Sequence, residues 1–151
     1  MTMEHNQHTW EITRQLSLKL DPDRYVLRMN AGHMRVAQDR YVVADLIVIP
    51  AFLLDSRRGQ PRTLEEYAEP LPFVVEVWSR STGDYDMESK LPDYRARGDL
   101  EIWRVHPYEK TVTAWRRQED GSYKEAHYGS RGRAKVESLG VYIDLARVFR
   151  Y

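Results

Sequence analysis

The sequence predicts an α/β fold, a mixed β-sheet flanked by helices, and three observations lead there. Periodic segments follow the order helix, strands, helix, strands. Residues 41–49 and 73–78 are nearly unbroken apolar runs, the pattern of strands covered on both faces. Around them lie shorter strand segments and an amphipathic helical stretch. At 151 residues, one domain spanning 1–151 is the natural arrangement.

Each element has its own signal. Ile12, Leu16 and Leu20 recur at helical spacing over residues 10–20, and Asp21-Pro22-Asp23 ends that helix. Residues 25–29 and 34–37 read as short strands around the turn residues Asn30, Ala31 and Gly32. Residues 41–49 form the strongest strand, stopped by Pro50. The polar stretch 51–72 reads as a loop with a helical turn near 64–67. A second buried strand covers 73–78. Asp86 is placed to cap a helix over 87–97, which Pro92 should weaken and Gly98 should end. Residues 101–106 form a strand ending at Pro107. Residues 111–116 and 122–128 make a hairpin across Asp120-Gly121. A strand at 141–143 and a helical turn at 145–149 close the domain.

Composition excludes several classes of function. Basic and acidic residues both number 23, so bulk charge does not drive polyanion binding, although a local basic groove remains open. Without cysteine there is no disulfide, thiolate metal site or thiol nucleophile, in keeping with a cytoplasmic location. Residues 1–8 lack the pattern of a signal peptide. No apolar run approaches the roughly 20 residues of a membrane helix, so no membrane association is expected. The five histidines show no zinc-type spacing. Trp10, Trp78, Trp103 and Trp115 are expected in the core.

Chemistry is concentrated in two carboxylates. Asp45 and Glu76 interrupt the two apolar strands, and neither strand carries a cation to neutralise them. An ionised carboxylate buried without a partner costs several kcal/mol. Two acids converging from neighbouring strands suit a hard cation such as Mg2+ or Mn2+. Lys90, on the following helix and on the same face as Tyr94, would orient or deprotonate an attacking water. A plain ion-pair network is the structural alternative. Arg57, Arg58 and Arg62 in the polar loop, with Arg95 and Arg97 beside the helix, are candidate phosphate contacts.

From about His8 to Phe149 the chain resembles the Uma-type restriction endonuclease family. The likeness rests on Val75-Glu76-Val77-Trp78-Ser79, Asp86 four residues before Lys90, Tyr94 four before Gly98, then Glu101-Ile102-Trp103. The resemblance implies a restriction-endonuclease-like fold and a PD-(D/E)xK-type site hydrolysing DNA phosphodiester bonds. It assigns Asp45, Glu76 and Lys90 to catalysis, and Asp45, Glu76 and the Val77 carbonyl to a magnesium or manganese ion. His8 is similar to a histidine often found near the first helix, with His5 not separable from it. Arg80 stands where proline is usual and adds a phosphate contact, and His106 replaces an acid before Pro107. The chain begins late relative to the family and is expected to lack its N-terminal acidic helix residue, for which Glu11 is the substitute. DNA is the implied partner and a homodimer a compatible assembly. The rival expectation is a catalytically degenerate module of the same fold that binds nucleic acid or a partner without cutting.

Overall fold

The structure, a computed structural model, describes residues 2–59, 64–79 and 83–150. Helix α1 (Met3–Lys19) leads into β1 (Tyr25–Met29), β2 (His33–Ala37), β3 (Arg40–Val42) and β4 (Leu46–Pro50). Then come α2 (Ala51–Asp55), β5 (Glu66–Tyr67), β6 (Phe73–Val77) and the long α3 (Gly83–Arg97). The chain continues through β7 (Glu101–His106), β8 (Thr111–Arg117) and β9 (Tyr123–Tyr128). It closes with β10 (Arg133–Val136), β11 (Val141–Asp144) and α4 (Leu145–Val148). The main sheet has the order β1-β4-β6-β7-β8-β9. Strands β6 and β7 run parallel, which requires a crossover, and α3 supplies it. The other neighbours in this sheet are antiparallel. A small sheet β3-β2-β5 and a ribbon β10-β11 stand beside it. The fold is thus the expected mixed sheet flanked by helices.

Strand alternation sorts the core into two layers. Phe73, Val75 and Val77 face Ile12 and Leu16 of α1 together with Trp103, Ile143 and Val148. Val74 and Ile102 face the other way, toward Met87 and Tyr94 of α3 and Tyr67 of β5. Every residue of β6 is buried, which is why its sequence is a continuous apolar run. Full burial of one such Val, Leu or Phe side chain contributes about 1.5–3 kcal/mol. Glu76 alternates with Val75 and Val77, so it lies on the α3 side.

Several boundaries differ from the sequence expectation. Helix α1 begins at Met3 instead of residue 10, capped by Thr2, whose hydroxyl accepts the His5 amide at 3.1 Å. Its first turns bury His5, His8, Thr9 and Glu11, polar residues that an apolar period does not register. Trp10, expected in the core, is 51% exposed. The run 41–49 is two strands, because the chain leaves the small sheet after Val42 and enters the main sheet at Leu46. Residues 51–55 are helical, and strand β5 replaces the helical turn expected near 64–67. Helix α3 starts at Gly83, which puts Asp86 inside the helix and not at its cap. Gly98 ends α3 at φ +82°, as a left-handed glycine after a helix does. No described helix is long and apolar enough to cross a membrane.

Candidate active site

The site is assembled where the C-terminal end of β6 meets the start of β4 and the middle of α3. Glu76 is 6% exposed. Lys90 and Tyr94 lie one helical turn apart on α3 and both reach its Oε1 atom. The Lys90 ammonium donates at 3.2 Å and the Tyr94 hydroxyl donates to the same oxygen. Among the described residues Oε2 accepts no hydrogen bond, so half of this carboxylate is left for another donor or a cation.

Asp45 sits just before β4. The antiparallel register pairs Leu46 with Val75, and one further step sets residue 45 opposite residue 76. The Asp45 Oδ2 atom accepts the Val77 amide at 2.7 Å, which fastens it beside Glu76. Its Oδ1 lies 3.2 Å from Nε2 of the buried His5 on α1. The two nominated acids and the lysine therefore occupy one place.

Burial is the main cause that pushes the Glu76 carboxyl up to about 7. The Lys90 ammonium opposes this, the Asp45 charge adds to it, and the Tyr94 hydrogen bond opposes it again. The Tyr94 phenol is held well above its ordinary range by burial and by the adjacent Glu76, so it remains a donor. No group of three or more His, Asp or Glu side chains suited to a metal ion occurs among the described residues. The side-chain donors available to a cation are Asp45 and Glu76, both hard oxygen ligands of the kind Mg2+ and Mn2+ prefer. The carboxylate pair, with an Oε2 unclaimed among the described residues, fits a hard cation by the chemistry of its donors.

Other nominated residues are engaged elsewhere. Glu11 does not join the site: Arg14 holds its carboxylate at 2.8 Å, and Gln15 donates to it at 3.1 Å. Gln15 also bonds the Asp144 backbone, so this group ties α1 to β11. His8 is fully buried edge-on against Phe149 at 5.3 Å, and burial lowers its pKa. His5 is the histidine that reaches Asp45. The signal for it was the Thr2 cap, which extends the helix and sets His5 seven residues before Ile12, on the same face. Arg97, nominated for nucleic acid, is interior. It pairs with Asp99 at 3.0 Å and donates to the carbonyls of Arg35, Tyr67 and Glu69, bracing α3 against the small sheet. Arg95 is exposed with its guanidinium 5.5 Å from the Tyr123 ring centre. Arg57 pairs with Glu69 and Arg58 with Asp55. Arg62 and Arg80 lie outside the described residues.

Comparison with known proteins agrees with this architecture. A solved structure titled "putative nuclease belonging to DUF820", from Anabaena variabilis, superposes with a TM-score of 0.75 at 15% identity. The match covers 99% of this chain and 82% of that one, and at this identity the likeness is one of fold. No curated protein matches the sequence. The Uma2 family model, described as "Putative restriction endonuclease", matches residues 1–146. The chain belongs to the Uma2 family.

Proposed function

We propose that the protein is a metal-dependent endonuclease that hydrolyses DNA phosphodiester bonds through a PD-(D/E)xK-type site. One observation carries the reading. Lys90 and Tyr94 converge on a single oxygen of Glu76, while Asp45 is fixed to the amide of the very next residue. Buried ion pairs also brace structure elsewhere in this molecule, but there each carboxylate is filled by donors. Asp99 takes Arg97 and the Leu71 amide, and Glu101 takes Trp103, Arg116 and the Ser138 amide. Among the described residues, Glu76 keeps an oxygen open.

Asp45, Glu76 and the Val77 carbonyl would hold a magnesium or manganese ion. When bound, the ion supplies Lewis-acid polarisation of a phosphodiester oxygen. Lys90 keeps a positive charge at the reacting centre, orienting the attacking water and offsetting the charge that grows on the phosphate. Tyr94 holds the Glu76 carboxylate in one rotamer. His5 and the Val77 amide do the same for Asp45, so both acids are positioned before substrate arrives. Glu76, Asp45 and Lys90 are all largely withdrawn from solvent, which strengthens each of these interactions.

Short-DNA or plasmid cleavage with manganese tests the reading. Wild type should cut, while Glu76→Ala and Lys90→Ala should lose at least about a hundredfold in rate. Calorimetry with manganese should show binding that Asp45→Asn abolishes. Equal cleavage by all three proteins would mean a contaminant and end the proposal. Absence of Asp45-dependent metal binding would favour a non-cutting module of the same fold.

A further inference from the structure

The face of the sheet that carries Glu76 carries a second polar group with no evident structural task. Register pairs Glu76 with Arg104, Arg104 with Thr113, and Thr113 with His127, so four polar side chains stand in a row across β6, β7, β8 and β9. Arg104 is partly buried. The other partly buried arginines, from Arg14 to Arg116, each meet a carboxylate. Among the described residues Arg104 has none within 4.0 Å. Among the described residues its Nε–H is buried without a partner, and its Nη2 donates to the Thr113 hydroxyl at 3.3 Å. The guanidinium lies 6.0 Å from the centre of the Trp115 ring, which offers a π-face and no counter-charge. Among the described residues it borders a cavity of about 290 Å³ together with Met87, Glu88, Leu91 and Trp115.

A half-buried guanidinium with an unsatisfied N–H, set in a cavity and lacking an ion pair, is arranged to receive a planar or tetrahedral oxyanion. Resting on the nuclease reading, we propose that Arg104 forms a phosphate subsite that anchors the nucleic-acid backbone beside the reacting phosphate. Adjacent strands lie about 4.8 Å apart, so the subsite is displaced from the Glu76 centre by one strand instead of coinciding with it. Such a contact fixes the register of the backbone and reads no base. Arg104 is therefore a positioning residue: its loss should raise KM for DNA and leave kcat close to wild type.

The experiment is fluorescence anisotropy with two short labelled duplexes of unrelated sequence, in chelator and over a range of salt. Arg104→Gln should weaken both duplexes alike, by about tenfold, and lower the slope of log affinity against log salt by about one. Arg104→Lys should keep the slope. Wild-type affinity and slope in Arg104→Gln, or a lysine variant as impaired in slope as the glutamine variant, would overturn the subsite. Should Arg104→Gln fail to fold, the Nε–H resonance of wild type titrated with inorganic phosphate decides instead. A shift supports the site, and an unmoved resonance overturns it. If wild type never cuts DNA yet Arg104→Gln still removes one charge from binding, the nuclease reading falls and the subsite stands.

Discussion

Glu76 sets the pH behaviour of the site. Its carboxyl titrates near 7 in the folded chain against an ordinary value of 4.5. In the metal-free protein its contribution to stability is therefore complete below the ordinary carboxylate range and is lost as pH rises through about 7. Denaturant titrations across that window should show this decline, and Glu76→Gln should flatten it. A cation needs the ionised form, so manganese affinity measured by calorimetry should rise about tenfold per pH unit below 7 and level off above it. Tyr94 is the second lever at this scale. Replacing it with phenylalanine removes one of two donors to a buried carboxylate and should cost about 1.5–3 kcal/mol at pH 8 in chemical denaturation. It should also lower the cleavage rate, since Glu76 would lose a fixed rotamer.

Helix α3 is braced at its C-terminal end more strongly than its sequence suggests. Arg97 joins Asp99 to three backbone carbonyls from two strands and a loop. Arg97→Ala would leave Asp99 buried and unpaired at a cost of about 3–5 kcal/mol, read as a fall in midpoint with no change in denaturant slope. The same arginine shows where sequence reading runs out. An arginine near a helix C-terminus reads as a candidate phosphate contact until the fold brings carbonyls from residues 35, 67 and 69 around it. By contrast β6 was legible because burial on both faces leaves an apolar signature. Asp45 and Glu76 stood out against apolar runs for the same reason, and Lys90 through its place on the helix that follows, on the face of Tyr94. The start of α1 was hidden by buried histidines and Glu11, whose burial depends on partners distant in sequence. Strand β10, Arg133–Val136, was missed because only Ala134 and Val136 of its four residues enter the core, alternating with charged Arg133 and Lys135.

At the scale of the whole molecule, the two layers divide labour. The α1 layer supplies His5 to Asp45, the α3 layer supplies Lys90 and Tyr94 to Glu76, and the sheet between them sets the spacing. The parallel junction of β6 with β7 has a consequence for the order of self-assembly. The β7-β8-β9 meander closes through short turns, with little chain entropy to lose, whereas β6 finds β7 only after the intervening helix has been spanned. Pulse-labelled amide exchange during refolding should protect β7 and β8 first, and β6 only in a later phase. Glu76 would then join Arg104 late, so a nascent chain would complete this row of polar side chains only once its scaffold is finished.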